Sequence, residues 1–165
     1  MAARRLPDSL GVMDTERLDE FSRAVAARLF ERFPAWLEFA KSAQADDGKE
    51  YLLVEVAAPK EAMAAYGLTI DTSDNEVTVG FDHSHIHAST QVGDGERFGA
   101  EYALHFIDRL LSERAAVVSW WKEGSLVAFS TIENGKPLLD DEIVGPYDHL
   151  RIRSWKGLMN ADVNA

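Results

Sequence analysis

His83, His85 and His87 stand at every second position of Asp82-His83-Ser84-His85-Ile86-His87, a stretch holding three of the chain's five histidines. Imidazole binds metals, moves protons and changes charge near neutral pH, so this stretch concentrates chemistry. On a single strand, alternate Cα atoms lie about 7 Å apart, close enough for two rings to share one zinc ion at about 2 Å each. Two ligands from among His83, His85 and His87 are not a site; a third must come from elsewhere, with His149, Glu101, Asp148 and Asp82 as candidates. Linear spacing selects none of them. Two other readings use no metal. The rings form a hydrogen-bonding surface for a protein partner, or they pack half-exposed against aromatic neighbours with their nitrogens in water.

Other reactive patterns are sparse. The chain has no cysteine, which excludes disulfides, thiolate metal sites and cysteine nucleophiles. Ser84, Ser89, Ser119 and Ser130 lack the Gly-x-Ser-x-Gly setting of a nucleophile elbow, and no glycine-rich phosphate loop is present. The tandem Trp120-Trp121 must place one indole on each face of a strand, one toward a core and one available for contact. Arg151 and Arg153 share a face with Trp155; they either bind a carboxylate or protect an exposed strand edge.

The surrounding pattern predicts the elements that hold these residues. Asp14 caps a helix carrying Leu18, Phe21, Val25, Leu29 and Phe33 at helical spacing, and Pro34 ends it or opens a second. Residues 51–57 read as a strand ended by Pro59. Residues 68–71 and 76–81 form a hairpin around the polar cluster 72–75. If its second arm runs on through His87, the histidines share a face with Val77, Val79 and Phe81. That face must then leave the core, reach a cavity, or flip at a bulge near residues 80–82. A second amphipathic helix follows, with Phe98, Tyr102, Phe106, Ile107, Leu110 and Leu111 as its stripe. Residues 115–121 and 125–132 pair as a hairpin turning at Glu123-Gly124, and residues 150–155 form a last strand. Adjacent hairpins between helices predict an α+β domain: an antiparallel sheet with two main amphipathic helices packed on one face. All 165 residues are expected in one domain, with 1–13 loose and 157–165 a frayed tail.

Seventeen Lys and Arg against 28 Asp and Glu give a formal charge of −11, which repels phosphate backbones and anionic lipid and attracts basic proteins. Nucleic acid is therefore not an expected partner. No apolar run suits a secretion signal or a membrane span, so a cytoplasmic location is expected.

Three segments in order resemble one known group: the strand 76–87 with its DHSHIH end, the helix containing Phe106-Ile107-Asp108-Arg109-Leu110-Leu111-Ser112-Glu113, and the hairpin beginning Val117-Val118-Ser119-Trp120. Over roughly residues 68–131 the chain resembles small bacterial immunity proteins of polymorphic-toxin and contact-dependent inhibition systems. The resemblance implies a non-enzymatic protein that binds and neutralises a cognate toxin, often a nuclease, without a cofactor. The contact residues expected on that basis are Asp82, His83, His85, His87 and one of Trp120 or Trp121. The alternatives are a metal-binding protein or metal-dependent enzyme using zinc or another divalent ion on the histidine strand, and a small-molecule-binding domain with a cavity between helices and sheet.

Overall fold

A computed structural model describes residues 13–89, 96–133, 136–137 and 144–164. It has the α+β architecture expected, with its strands divided between two five-stranded antiparallel sheets. In chain order the elements are α1 (Glu20–Arg32), β1 (Ala40–Gln44), β2 (Glu50–Val56), β3 (Leu68–Asp71), β4 (Glu76–Phe81), β5 (Ser84–Ser89), α2 (Glu96–Leu111), β6 (Ala115–Lys122), β7 (Ser125–Glu133), β8 (Lys136–Pro137), β9 (His149–Arg153) and β10 (Ala161–Asn164). The first sheet runs β1-β2-β3-β4-β5, and the second runs β10-β9-β6-β7-β8.

The N-terminal helix starts later than its pattern predicts, because two aspartates divide the work of capping. The Asp14 carboxylate accepts the Glu16 N–H and opens a short 3-10 turn, Thr15–Arg17. Asp19 accepts the Ser22 N–H at 2.7 Å and caps α1 itself. Pro34 opens a further 3-10 turn, Pro34–Phe39, where its missing N–H costs nothing. The chain then enters β1, a strand that the polar sequence Ala-Lys-Ser-Ala-Gln does not announce and that pairing with β2 imposes.

Both helices cover one face of the first sheet. Phe21, Val25 and Leu29 from α1, with Ala103, Phe106, Ile107 and Leu110 from α2, bury against Leu52, Val54, Ile70, Val77, Val79 and Phe81. Tyr102, expected in the α2 stripe, is exposed, and the Phe98 side chain lies outside the described residues. Ala115 and Val117 join β6 to this core, while Ala116, Val118 and Trp120 on its other face form a second core with Ile132 and Val144. Thr72 closes the turn before β4 from inside: its buried hydroxyl accepts the Leu52 N–H at 2.9 Å and lies 2.7 Å from Ser22 Oγ.

The C-terminal segment, expected to fray, is tied down instead. Strand β10 pairs with β9, so β9 is an interior strand and its arginines do not guard an edge. Arg153 is 4 % exposed, and its Nη2 donates to both carboxylate oxygens of Asp162, at 2.9 and 3.0 Å. Its remaining donors reach the carbonyls of Met63, Ile152 and Ala161, fastening the second sheet to the segment before β3. The turn between β9 and β10 closes on Glu113, whose carboxylate accepts from Ser154 Oγ and from the Lys156 and Leu158 N–H groups. Gly157 sits in that turn at φ +77°, where an added Cβ would lie 2.2 Å from the Glu61 carbonyl oxygen. Residues 1–12 lie outside the described residues, and Met13 packs on the core.

Hydrogen bonds from Arg153 hold the Asp162 carboxyl below the usual carboxylate value; partial burial opposes this, and the charges of Arg153, Arg151 and His149 add to it. The linkage sign follows: a depressed folded-state value contributes stability that is present above the unfolded value and lost as pH falls through the folded one. Asp162→Asn is therefore expected to lower the thermal midpoint near neutral pH, with the gap to wild type closing as pH drops below about 4. Melting curves across that range check this; a gap independent of pH would contradict it.

Candidate functional site

The histidine stretch is a hairpin rather than the end of one strand. Strand β4 stops at Phe81, Asp82 and His83 form a two-residue turn, and β5 returns antiparallel with Phe81 opposite Ser84 and Gly80 opposite His85. Asp82 takes the left-handed conformation at φ 52°, which aspartate tolerates better than most residues. Its position is fixed from a distance: its N–H donates to the Tyr66 carbonyl at 3.2 Å, and its Oδ1 accepts the Ala65 N–H at 2.6 Å. Asp82 is thus 6 % exposed and acts as the anchor of the turn.

Reversal at this turn changes which way the rings face. Val77, Val79 and Phe81 point into the core with Ala88 and Ile86, while His85 and His87 lie opposite Gly80 and Thr78 on the outer face. The condition for sharing the core face, a strand running on through His87, is therefore not met, because the chain reverses at residues 82–83 instead of extending through them.

On the outer face Tyr66, Thr69, Thr78, Gly80, His83, His85 and His87 line an open groove of about 520 Å³. Gly80 makes its floor, where an added Cβ would come 2.5 Å from Thr69 Oγ1. Two chains of rings reach across the groove to the second sheet. In one, Tyr66 meets His83 edge-on at 5.2 Å, and His83 meets Trp121 edge-on at 4.8 Å. In the other, Phe129 packs on His85 at 4.7 Å, and His85 meets His87 edge-on at 4.7 Å. Beyond them the His87 Nδ1 contacts Glu76 Oε1, with Thr78 Oγ1 3.2 Å away. Burial pushes His85 below the ordinary histidine value; the neighbouring His87 adds to this and Glu76 opposes it. At neutral pH the His85 ring is neutral and keeps a nitrogen lone pair for a donor.

The two tryptophans separate as strand geometry requires. Trp120 is 0 % exposed in the second core, so it has no surface to offer. Trp121 is partly exposed, held by a 2.8 Å hydrogen bond from Nε1 to Ser119 Oγ, with the Arg151 guanidinium 5.8 Å from its ring centroid. Leu126 lies opposite it across the β6–β7 hairpin, which is offset by a bulge.

His83, His85 and His87 thus share one groove, but the further metal ligands considered do not join them. Asp82 is buried under the turn; Asp148 accepts the Glu123 N–H at 2.7 Å; His149 Nδ1 lies 3.0 Å from Asn164 Oδ1; Glu101 pairs with Arg28. Among the described residues no group of three or more His, Asp or Glu side chains is arranged to hold a metal ion. Nor does the groove lie between helices and sheet, where the small-molecule-binding alternative places its cavity; it lies on the opposite face. The sequence reading missed Tyr66, Phe129, Glu76 and the two threonines. One signal was present, since an isolated glycine inside a strand marks a close approach.

Among the described residues no helix is long and apolar enough to cross a membrane. Compared with protein-family models, curated proteins and solved structures, the chain matches none of them.

Proposed function

We propose that this chain is a non-enzymatic protein-binding module that uses the ring-lined groove as its contact surface, and that its partner is a basic bacterial toxin which it neutralises. The observation carrying this reading is the continuous line of partly exposed side chains, Tyr66, His83, Trp121 and Leu126, joining the two sheets. Tyr66 is 61 % and Leu126 40 % exposed, and with His83 and Trp121 between them they form a contiguous patch rather than scattered single residues. Aromatic anchors within a polar surround are the usual composition of a contact surface, because they contribute large buried area with little conformational freedom to lose. The charge of −11 favours a basic partner and speeds its encounter, and the resemblance of residues 68–131 to immunity proteins points to a toxin.

The test is calorimetric titration against the protein encoded beside this chain's gene. One-to-one binding without turnover is expected. Raising ionic strength from about 0.1 M to about 1 M shortens the screening length from about 10 Å to about 3 Å and should weaken binding at least about tenfold. Binding that is indifferent to salt, or absent for a basic product of that gene, would count against the proposal.

A further inference from the structure

We infer that the groove over Gly80 receives an arginine side chain of the partner, its guanidinium laid against the rings of Tyr66, His83 and His85. This rests on the binding-module reading and adds the chemistry of the group that is bound.

Register defines the receptor. Glu55, Thr69, Gly80 and His85 lie side by side across β2, β3, β4 and β5, and the next row is Leu53, Asp71, Thr78 and His87. Directly opposed residues point the same way, so both rows face outward. Within the first row, Gly80 leaves a gap between the Thr69 hydroxyl and the His85 ring. Tyr66 and His83 stand beside it with rings at 82° to one another. A planar group can stack on one of these rings while meeting the edge of the other.

Charge and hydrogen bonding then choose among flat groups. The outward side chains of these rows and of Glu76 carry three carboxylates, Glu55, Asp71 and Glu76, against one ammonium, Lys41, which pairs with Glu55. These carboxylates flank the groove, and the Arg151 guanidinium, over Trp121, is paired with Asp162, so the face around the groove favours a cation over an anion. The Thr69 and Thr78 hydroxyls, a neutral His85 nitrogen and the Glu76 carboxylate all accept hydrogen bonds. Guanidinium supplies five donors in a plane, stacks on aromatic rings and carries its charge at every pH of interest. An ammonium has the charge without the plane. A basic partner of this acidic chain offers arginines as a matter of composition.

The experiment uses three capped pentapeptides, Gly-Gly-Arg-Gly-Gly and its lysine and glutamate counterparts, titrated into the isotopically labelled full chain and followed by heteronuclear NMR. The arginine peptide is expected to shift the amides of Thr69, Gly80 and His85 with saturation on the order of millimolar. The lysine peptide should bind roughly threefold or more weakly, and the glutamate peptide should leave these amides unmoved. Tyr66→Ala and His85→Ala should each abolish the response while the remaining spectrum stays dispersed as in the wild type. Equal response to lysine and arginine, shifts centred away from Gly80, or a response surviving in both variants would overturn the inference. If the partner binds in calorimetry while the arginine peptide leaves Gly80 unmoved, the arginine anchor fails and the binding-module reading stands.

Discussion

Trp120→Ala is expected to destabilise the fold by about 3–5 kcal/mol, a large fraction of the roughly 5–15 kcal/mol that a domain has in total. The indole fills the centre of the second core, between Ala128 on β7 and Leu150 on β9, with Val118, Ile132 and Val144 also buried around it. Truncation removes its apolar contacts and leaves a cavity that strands paired on both sides cannot close. Trp120→Phe should recover most of the loss. Among the described residues the Trp120 Nε1 is buried without a hydrogen-bond partner, so phenylalanine breaks no hydrogen bond seen among them. Equilibrium unfolding in urea measures both variants; a midpoint for Trp120→Ala close to wild type, with unchanged slope, would mean the second core contributes little.

The same residue shows where sequence is legible. Alternation along a strand requires adjacent tryptophans to face opposite sides, and they do. Which of them is inside depends on what covers each face. Ala128, Leu150 and Val144 cover Trp120, and these come from three separate segments that no local pattern connects. The hairpin at Glu123-Gly124 was readable because both residues take positive φ, at 51° and 77°, in a turn whose sequence favours it. The hairpin at Asp82-His83 was not, because its anchors, the Ala65 N–H and the Tyr66 carbonyl, lie 17 and 16 residues earlier in the chain. That one hidden turn moved His85 and His87 from the core face to the groove. Class was legible from hairpin spacing, whereas the division into two sheets depends on β9 and β10 pairing beside β6, a tertiary choice reinforced by Arg153 and Asp162. A carboxylate partner was one of two readings open for Arg151 and Arg153; that the carboxylate belongs to this same chain, on the strand after theirs, was not read.

Trp121→Ala is expected to weaken affinity for the proposed partner by about thirtyfold or more, equivalent to about 2 kcal/mol, while leaving the fold intact. The indole is held before any partner arrives: Nε1 is bonded to Ser119, His83 abuts the ring, and Arg151 lies near its face. A side chain fixed in this way loses little freedom on binding, so most of its contact energy reaches the affinity. It also sits where both sheets meet, beside the groove and opposite exposed Leu126, so a partner spanning the groove must cover it. Trp120→Phe supplies the control on the adjacent residue, since it alters the core without touching the surface. Affinity should fall for Trp121→Ala and hold for Trp120→Phe in the same calorimetric titration. A loss under about threefold for Trp121→Ala would place the contact surface elsewhere, because anchors at the centre of an interface cost more than that when removed. Equal losses in both variants would instead assign the effect to the fold, since the two indoles share a strand but face different environments.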